Sequence, residues 1–349
     1  AKVIAQNSMF TTKGIDISGE LTMTGIPEQN SKTVTPGLHY AADGFRLSGG
    51  NANFIARNMA SVTGNIYADD AATITLGQPE TETPTISSAY QAWAETLLYG
   101  FDTAYRGAIT APKATVSMNN AIWHLNSQSS INRLETKDSM VRFTGDNGKF
   151  TTLTVDNLTI DDSAFVLRAN LAQADQLVVN KSLSGKNNLL LVDFIEKNGN
   201  SNGLNIDLVS APKGTAVDVF KATTRSIGFS DVTPVIEQKN DTDKATWTLI
   251  GYKSVANADA AKKATLLMSG GYKAFLAEVN NLNKRMGDLR DINGESGAWA
   301  RIMSGTGSAG GGFSDNYTHV QVGADNKHEL DGLDLFTGVT MTYTDSHAG

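Results

Sequence analysis

Three Asn-Asn dipeptides, Asn119-Asn120, Asn187-Asn188 and Asn280-Asn281, could break a peptide bond without a separate nucleophile. An asparagine side-chain amide can attack its own backbone carbonyl, close a succinimide and expel the amine of the next residue. The reaction needs an amide oriented and activated by a carboxylate, and a backbone bent out of relaxed helix geometry. The dipeptide alone does not specify the chemistry. Asn119-Asn120 and Asn187-Asn188 fall where turns are expected, whereas Asn280-Asn281 lies inside a helical stripe.

Other chemistry-like patterns fail on context. Gly294-Glu-Ser-Gly-Ala resembles the segment around a serine-protease nucleophile, but it carries Glu in place of Asp and stands at a helix-to-strand junction. Gly305-Thr-Gly-Ser-Ala-Gly has dinucleotide-loop spacing, yet strand-like Tyr317-Thr-His-Val follows where a phosphate-binding helix should begin, so a hairpin loop is expected. His39, His124, His319, His328 and His347 form no metal-ligand spacing, and His124 beside Trp123 is expected on a strand face. Asp325 to Asp334 departs from the EF-hand pattern, and Gly49-Gly50-Asn51-Ala52-Asn53 is not arrayed as a calcium-binding repeat. No cofactor is implied.

The elements that must position these residues are mostly strands. The chain has 349 residues, 33 glycines and no cysteine. Disulfides, thiol catalysis and cysteine-ligated zinc are excluded. A chain without cysteine also suits passage through an oxidising compartment unfolded. The formal charge of −7 argues against a nucleic-acid partner. No apolar run approaches the ~18 residues of a membrane helix. Ala1 is followed by Lys2-Val3-Ile4, which has the look of mid-strand sequence rather than a leader.

Up to about residue 250 the chain is a succession of short alternating runs, such as Ala72-Thr-Ile-Thr-Leu, Ala114-Thr-Val-Ser-Met and Thr152-Leu-Thr-Val. Asn120-Ala121, Asp138-Ser139 and Asp162-Ser163 each lead into an apolar strand, at intervals of about 18 and 24 residues. A loose period near 20 favours a parallel β-helix, whose coils stack and whose loops vary freely. A β-sandwich predicts hairpin signals every 8–12 residues instead.

One stretch interrupts the pattern near 79–112. There Tyr90, Trp93, Leu97 and Leu98 share a helical face, as expected of a short excursion from one coil or, alternatively, a binding loop. Residues 156–253 are denser in apolar runs and end in Thr246-Trp-Thr-Leu-Ile-Gly-Tyr, where a cap over the open end of a β-helix belongs.

A heptad stripe follows: Met268, Tyr272, Phe275, Val279, Leu282, Met286 and Leu289. Tyr272 to Ile292 would span roughly 30 Å as a helix, close to a bilayer's hydrocarbon thickness. The charged flanks, Lys284, Arg285 and Asp288 among them, suit a polar lumen better than lipid. After Asn293-Gly294 come three alternating runs, the last placing Leu335, Val339, Met341 and Tyr343 on one face and Phe336, Gly338, Thr340 and Thr342 on the other. That alternation is the signature of membrane-barrel strands.

The run Ala277-Glu-Val-Asn-Asn-Leu-Asn-Lys-Arg-Met-Gly-Asp-Leu-Arg-Asp, followed by Gly297-Ala-Trp-Ala-Arg, closely resembles the linker-to-barrel junction of the serine protease autotransporters of enteric bacteria. Gly323-Ala-Asp-Asn-Lys-His and Thr340-Met-Thr-Tyr resemble that family's first barrel strands. The resemblance implies a type V secretion product: a virulence serine protease of the cell surface or secreted, with a pertactin-like β-helical stem whose cap acts as autochaperone. The passenger would leave through an outer-membrane barrel and be released by cleavage between two asparagines inside it. Those match Asn280, the nucleophile, and Asn281, the residue after the scissile bond. The implied partners are the outer membrane, the barrel-assembly machinery and an upstream protease domain, with transit through the periplasm.

The expected architecture is therefore a right-handed parallel β-helix stem (1–155), an autochaperone cap (156–253), an α-helical linker with the cleavage site (254–293) and the start of a barrel (294–349). With about three barrel strands and no protease domain, neither the closed pore, nor the family's activating barrel carboxylates, nor an independent catalytic site is expected in this chain. Two competitors stand beside this reading. An adhesin or a glycan-binding or glycan-cleaving β-helix predicts an exposed aromatic or carboxylate track along one face. A coiled-coil oligomer predicts association through the 268–289 stripe.

Overall fold

The computed structural model describes residues 1–29, 31–145, 148–195, 202–227, 230–259, 262–264, 297–309, 313–331 and 333–348. The chain forms two compact units, 1–225 with 231–255, and 226–230 with 256–349.

Short strands in the first unit run parallel and stack in register. One sheet takes in Ala72–Gly77, Ile109–Asn119, Ser129–Lys137, Thr152–Asp161 and Gln176–Lys186 in that order. A second takes in Ala60–Thr63, Thr103–Arg106, Ala121–Leu125, Met140–Phe143, Ala164–Ala169 and Asn188–Phe194. The chain visits the two alternately, so each coil adds one strand to each. Alternation then sorts side chains, every second residue pointing inward. Tyr105, Trp123, Val141, Phe165 and Leu190 form one inward ladder, each at most 1% exposed. Ile74, Val116, Leu134, Leu158 and Leu183 form another. Trp123, whose indole N–H must be satisfied when buried, donates to the Gly107 carbonyl at 2.8 Å.

Single residues turn the chain from the first sheet to the second. Asn120, Asp138, Asp162 and Asn187 have φ of 49°, 49°, 48° and 58°, a left-handed conformation that Asn and Asp tolerate best among non-glycine residues. Three of these are the turn positions that the spacing singled out. The fourth comes 25 residues after Asp162 and continues the same stack.

The interruption near 79–112 contains the 3-10 turn Glu80–Glu82, the short strand Thr85–Ile86 and the helix Gln91–Leu98. Its buried face agrees in part with the expected one: Leu98 and Leu97 pack inward, but Tyr90 and Trp93 do not. Ala94 and Leu98 dock on Ala104 and Ile122, while Tyr90 and Trp93 stay 39% and 38% exposed. Small Ala94 lets the helix backbone lie close to the outer face of the second sheet. The bulky aromatics are thereby left at the rim.

Parallel stacking gives way at Asn202–Pro212. That strand pairs parallel with Gln176–Lys186 on one side and antiparallel with Lys244–Ala256 on the other. Ser230–Asn240 follows next in the sheet. In the second unit, Gly297–Ala309, Phe313–Leu330 and Leu333–Ala348 form an antiparallel meander. Gly305 to Ala309 lies within the first of these strands and Ala309 pairs with Phe313 of the second, so the hairpin expected at Gly305–Gly310 falls at the end of that run rather than across it. The unbroken antiparallel ladder from Gly305↔Tyr317 to Ala309↔Phe313 overrides the flexibility of the glycines.

Candidate functional site

The stem's end is built from the turn ladder upward. Ala121 N–H donates to Ser139 Oγ at 3.2 Å, Ser139 N–H to Ser163 Oγ at 3.3 Å, and Ser163 N–H to Asn188 Oδ1 at 3.1 Å. Each amide just after a left-handed turn is thus satisfied by the equivalent side chain one coil on. Asn188, fully buried, closes the series by donating through Nδ2 to the carbonyls of Ile160 and Val219 at 2.9 and 3.2 Å. It ties the last coils to the segment leading into the cap.

Aromatic contacts carry the same connection through the core. Trp247 meets Phe220 edge-on at 5.7 Å, and Phe220 meets Phe165 edge-on at 6.0 Å. Phe194 packs on Tyr252 at 4.8 Å. Such pairs add stabilisation of about 0.5–1.5 kcal/mol each beyond area burial. Thr248, fully buried, donates to Asp207 Oδ1 at 2.9 Å across the antiparallel pair. The open end of the core is closed by Trp247, Leu249 and Tyr252, all under 10% exposed.

Charged groups inside the stem are few and specifically held. Arg168 donates through Nε to Asp175 Oδ2 at 2.8 Å, and its guanidinium also reaches the carbonyls of Gly145 and Lys149. Asp193 takes both Arg142 and Arg225. Asp102, wholly buried, accepts from Thr103 Oγ1 at 2.8 Å, from Gln78 Nε2 at 3.3 Å and from Met59 N–H at 3.4 Å. It clasps the two ends of the helical excursion to the turn at Asn58-Met59. Burial pushes its carboxyl up to about 6 against those hydrogen bonds.

His124 lies on the outer face of the second sheet, in register between Arg106 and Arg142 and beneath the Tyr99 ring at 5.1 Å. Burial first, and then the two guanidinium charges, lower its imidazole to about 4. Composition gave no hint of Asp102. Arg168 does show in the sequence, as one charge in the apolar run Ala164-Phe-Val-Leu-Arg-Ala.

The meander of the second unit has two unlike faces. Ala300, Val322 and Met341 are in register on one, as are Ile302, Val320 and Tyr343. Ile302, Val339, Met341 and Tyr343 on this apolar face are 68–76% exposed. The opposite face carries polar side chains that bond across strands: Gln321 donates to Thr342 Oγ1 at 3.1 Å, and His319 Nδ1 pairs with the Thr344 hydroxyl at 2.8 Å. Asn280 and Asn281 lie outside the described residues, as does the 268–289 stripe. No described helix is long and apolar enough to cross a membrane, a criterion that does not bear on strands.

Comparison with known proteins agrees with this geometry. A family model described as Pertactin matches residues 131–231. Over its whole length the chain is 99% identical to 27% of the serine protease sat autotransporter of Escherichia coli O6:H1. It is 63% identical over 350 residues to 27% of the serine protease pet autotransporter of Escherichia coli O44:H18. It is likewise 54% identical over 351 residues to 27% of the serine protease EspP of Escherichia coli. The chain therefore spans about a quarter of the length of these relatives. The crystal structure of the passenger domain of plasmid-encoded toxin, an autotransporter enterotoxin of enteroaggregative Escherichia coli, is similar with a TM-score of 0.63 and 42% identity. That likeness covers 74% of this chain and 28% of the other.

Proposed function

We propose that this chain, a segment of the serine protease autotransporter family by its match along the whole length, is the part that carries a passenger out of the cell and folds it there. In this reading residues 1–155 are a right-handed parallel β-helix stem, and residues 156–253, which hold the antiparallel pairing of Asn202–Pro212 with Lys244–Ala256, are the autochaperone that templates the coils above it. The observation that carries the reading is the change from parallel stacking to an antiparallel cap at the C-terminal end of the stem. Ser230–Asn240 and Lys244–Ala256, neighbours in the sheet and joined by residues 241–243, can pair from local sequence, whereas each coil must find a strand about 18–25 residues away. A cap that folds first gives each arriving coil an edge to pair with.

The meander after Gly297 is the start of the outer-membrane barrel. Its exposed apolar face suits lipid and its hydrogen-bonded polar face suits a lumen. Assembly of that barrel would require the cell's barrel-assembly machinery, and the parent protein would be a secreted serine endopeptidase whose protease domain precedes this chain. Residues 254–293 would thread the barrel as a helix. There the Asn280 amide would attack its own carbonyl carbon, forming the succinimide and releasing the Asn281 amine, with activation by barrel carboxylates beyond this chain.

The test uses the parent protein with its complete barrel, expressed in an outer-membrane host. Asn280→Gln and Asn280→Asp are each expected to leave passenger and barrel joined as one band on denaturing gels, with the passenger still displayed at the surface. Normal release in either variant would remove Asn280 from the role of nucleophile.

A further inference from the structure

A cleft of about 480 Å³ opens on the outer face of the first sheet, where the excursion folds back over the strands. Its floor is two polar rows set one above the other. Thr75, Ser117, Glu135 and Thr159 are in register in one row, and Asn119, Lys137 and Asp161 in the next. Neighbouring members of a row stand about 4.7–4.9 Å apart, the spacing of parallel strands. Arg57 and Glu82 contribute from the wall.

Beside the cleft, on Thr152–Asp161 and its neighbour Gln176–Lys186, three pairs of polar groups bond one another. Ser182 donates to Asn157 at 3.0 Å, Asn180 donates to Asp156 at 3.0 Å, and Lys181 pairs with Asp156 at 2.8 Å. Inside it, among the described residues, the side chains of Thr75, Ser117, Asn119, Lys137, Thr159 and Asp161 make no hydrogen bond to protein. Glu135 has only a loose pairing with Arg133 at 3.8 Å. Unused donors and acceptors thus line a concave surface, the combination that marks a ligand site.

We propose that this cleft is a binding site for a neutral oligosaccharide lying across the strands. A chain of sugar rings presents hydroxyls at a repeat close to the strand spacing, so successive rings meet successive strands. Hydroxyls both donate and accept, and the cleft supplies both kinds of partner: carboxylates at Glu82, Glu135 and Asp161, cations at Arg57 and Lys137, and hydroxyls and an amide between them. Three carboxylates against two cations disfavour a polyanion. An extended peptide would add to a sheet edge rather than lie on this closed face. Without an aromatic platform in the lining, hydrogen bonds supply the recognition and affinity is modest.

The experiment titrates maltotetraose, cellotetraose and chitotetraose separately into the full 349-residue chain, read by saturation-transfer difference NMR and calorimetry. At least one is expected to bind with 1:1 stoichiometry. Ser117→Trp, which fills the floor, and Asp161→Ala are each expected to weaken it about tenfold or more, the effect of losing one or two hydrogen bonds. Ser182→Ala, on the same face outside the cleft, is expected to leave binding unchanged. Circular dichroism of the tryptophan variant confirms an intact fold, and Asp161→Ala carries the test if that variant misfolds. Binding by none of the three, or binding unaltered in both cleft variants, would overturn the proposal. So would binding confined to a sulfated tetrasaccharide control.

Discussion

Asp102 and His124 are buried titratable groups with opposite consequences. The folded-state carboxyl of Asp102 is raised to about 6 from 3.8. Its contribution to stability is therefore fully present below pH 3.8 and is lost as pH rises through 6. The imidazole of His124 is lowered to about 4 from 6.5. Its contribution is present above pH 6.5 and is lost as pH falls through 4. The buried His39, also lowered by burial, acts in the same direction as His124. At 1.36 kcal/mol per tenfold change in proton affinity, each of the two numbered groups contributes about 3 kcal/mol, and between pH 4 and 6.5 they oppose each other. Urea denaturation midpoints of the wild type should thus vary little across this range. Asp102→Asn should make stability rise with pH, and His124→Gln should make it fall. Parallel pH profiles for wild type and both variants would show that neither group titrates on folding.

At the scale of elements, the turn ladder is what holds successive coils in register. Asn188→Leu removes an acceptor for Ser163 N–H and donors for two carbonyls in a fully buried site. A loss of about 3 kcal/mol is expected, since unsatisfied buried groups cost about 1–3 kcal/mol each and relaxation recovers part. Chemical denaturation would measure it, and a loss under about 0.5 kcal/mol, ordinary for surface substitutions, would mean that the ladder does not secure the coils.

Much of this element was legible beforehand. A lone Asn or Asp before Ser or Ala, recurring about every 20 residues, is a left-handed turn followed by a stackable side chain. The helix face was legible at Leu97 and Leu98 only, because periodicity weighs Tyr90 and Trp93 heavily whereas docking on a flat sheet selects Ala94. The glycine-rich run at Gly305 marked the hairpin but not its extent, for a related reason. Local turn propensity cannot register the antiparallel ladder that extends Gly297–Ala309.

Across the whole molecule, sequence pattern reached the β-rich coils and the outward apolar face of the meander. It did not reach the unspent polar cleft or the clasp at Asp102. Both arise where residues distant in sequence meet: Glu82 over Asp161, and Gln78 beside Asp102. Neither junction has a local signature. The Asn280-Asn281 assignment rests on likeness rather than geometry and is decided by the release assay.

Templating of the stem by the antiparallel cap during export is the proposal on which the others depend. The most direct measurement is the sensitivity of surface-exposed passenger to added protease in intact cells. The parent would carry Trp247→Ala with Leu249→Ala, which remove the side chains closing the core. Barrel insertion is expected to be unchanged while the passenger reaches the surface in reduced amount and is degraded within minutes. A passenger that emerges at the wild-type level and remains protease-resistant would contradict it.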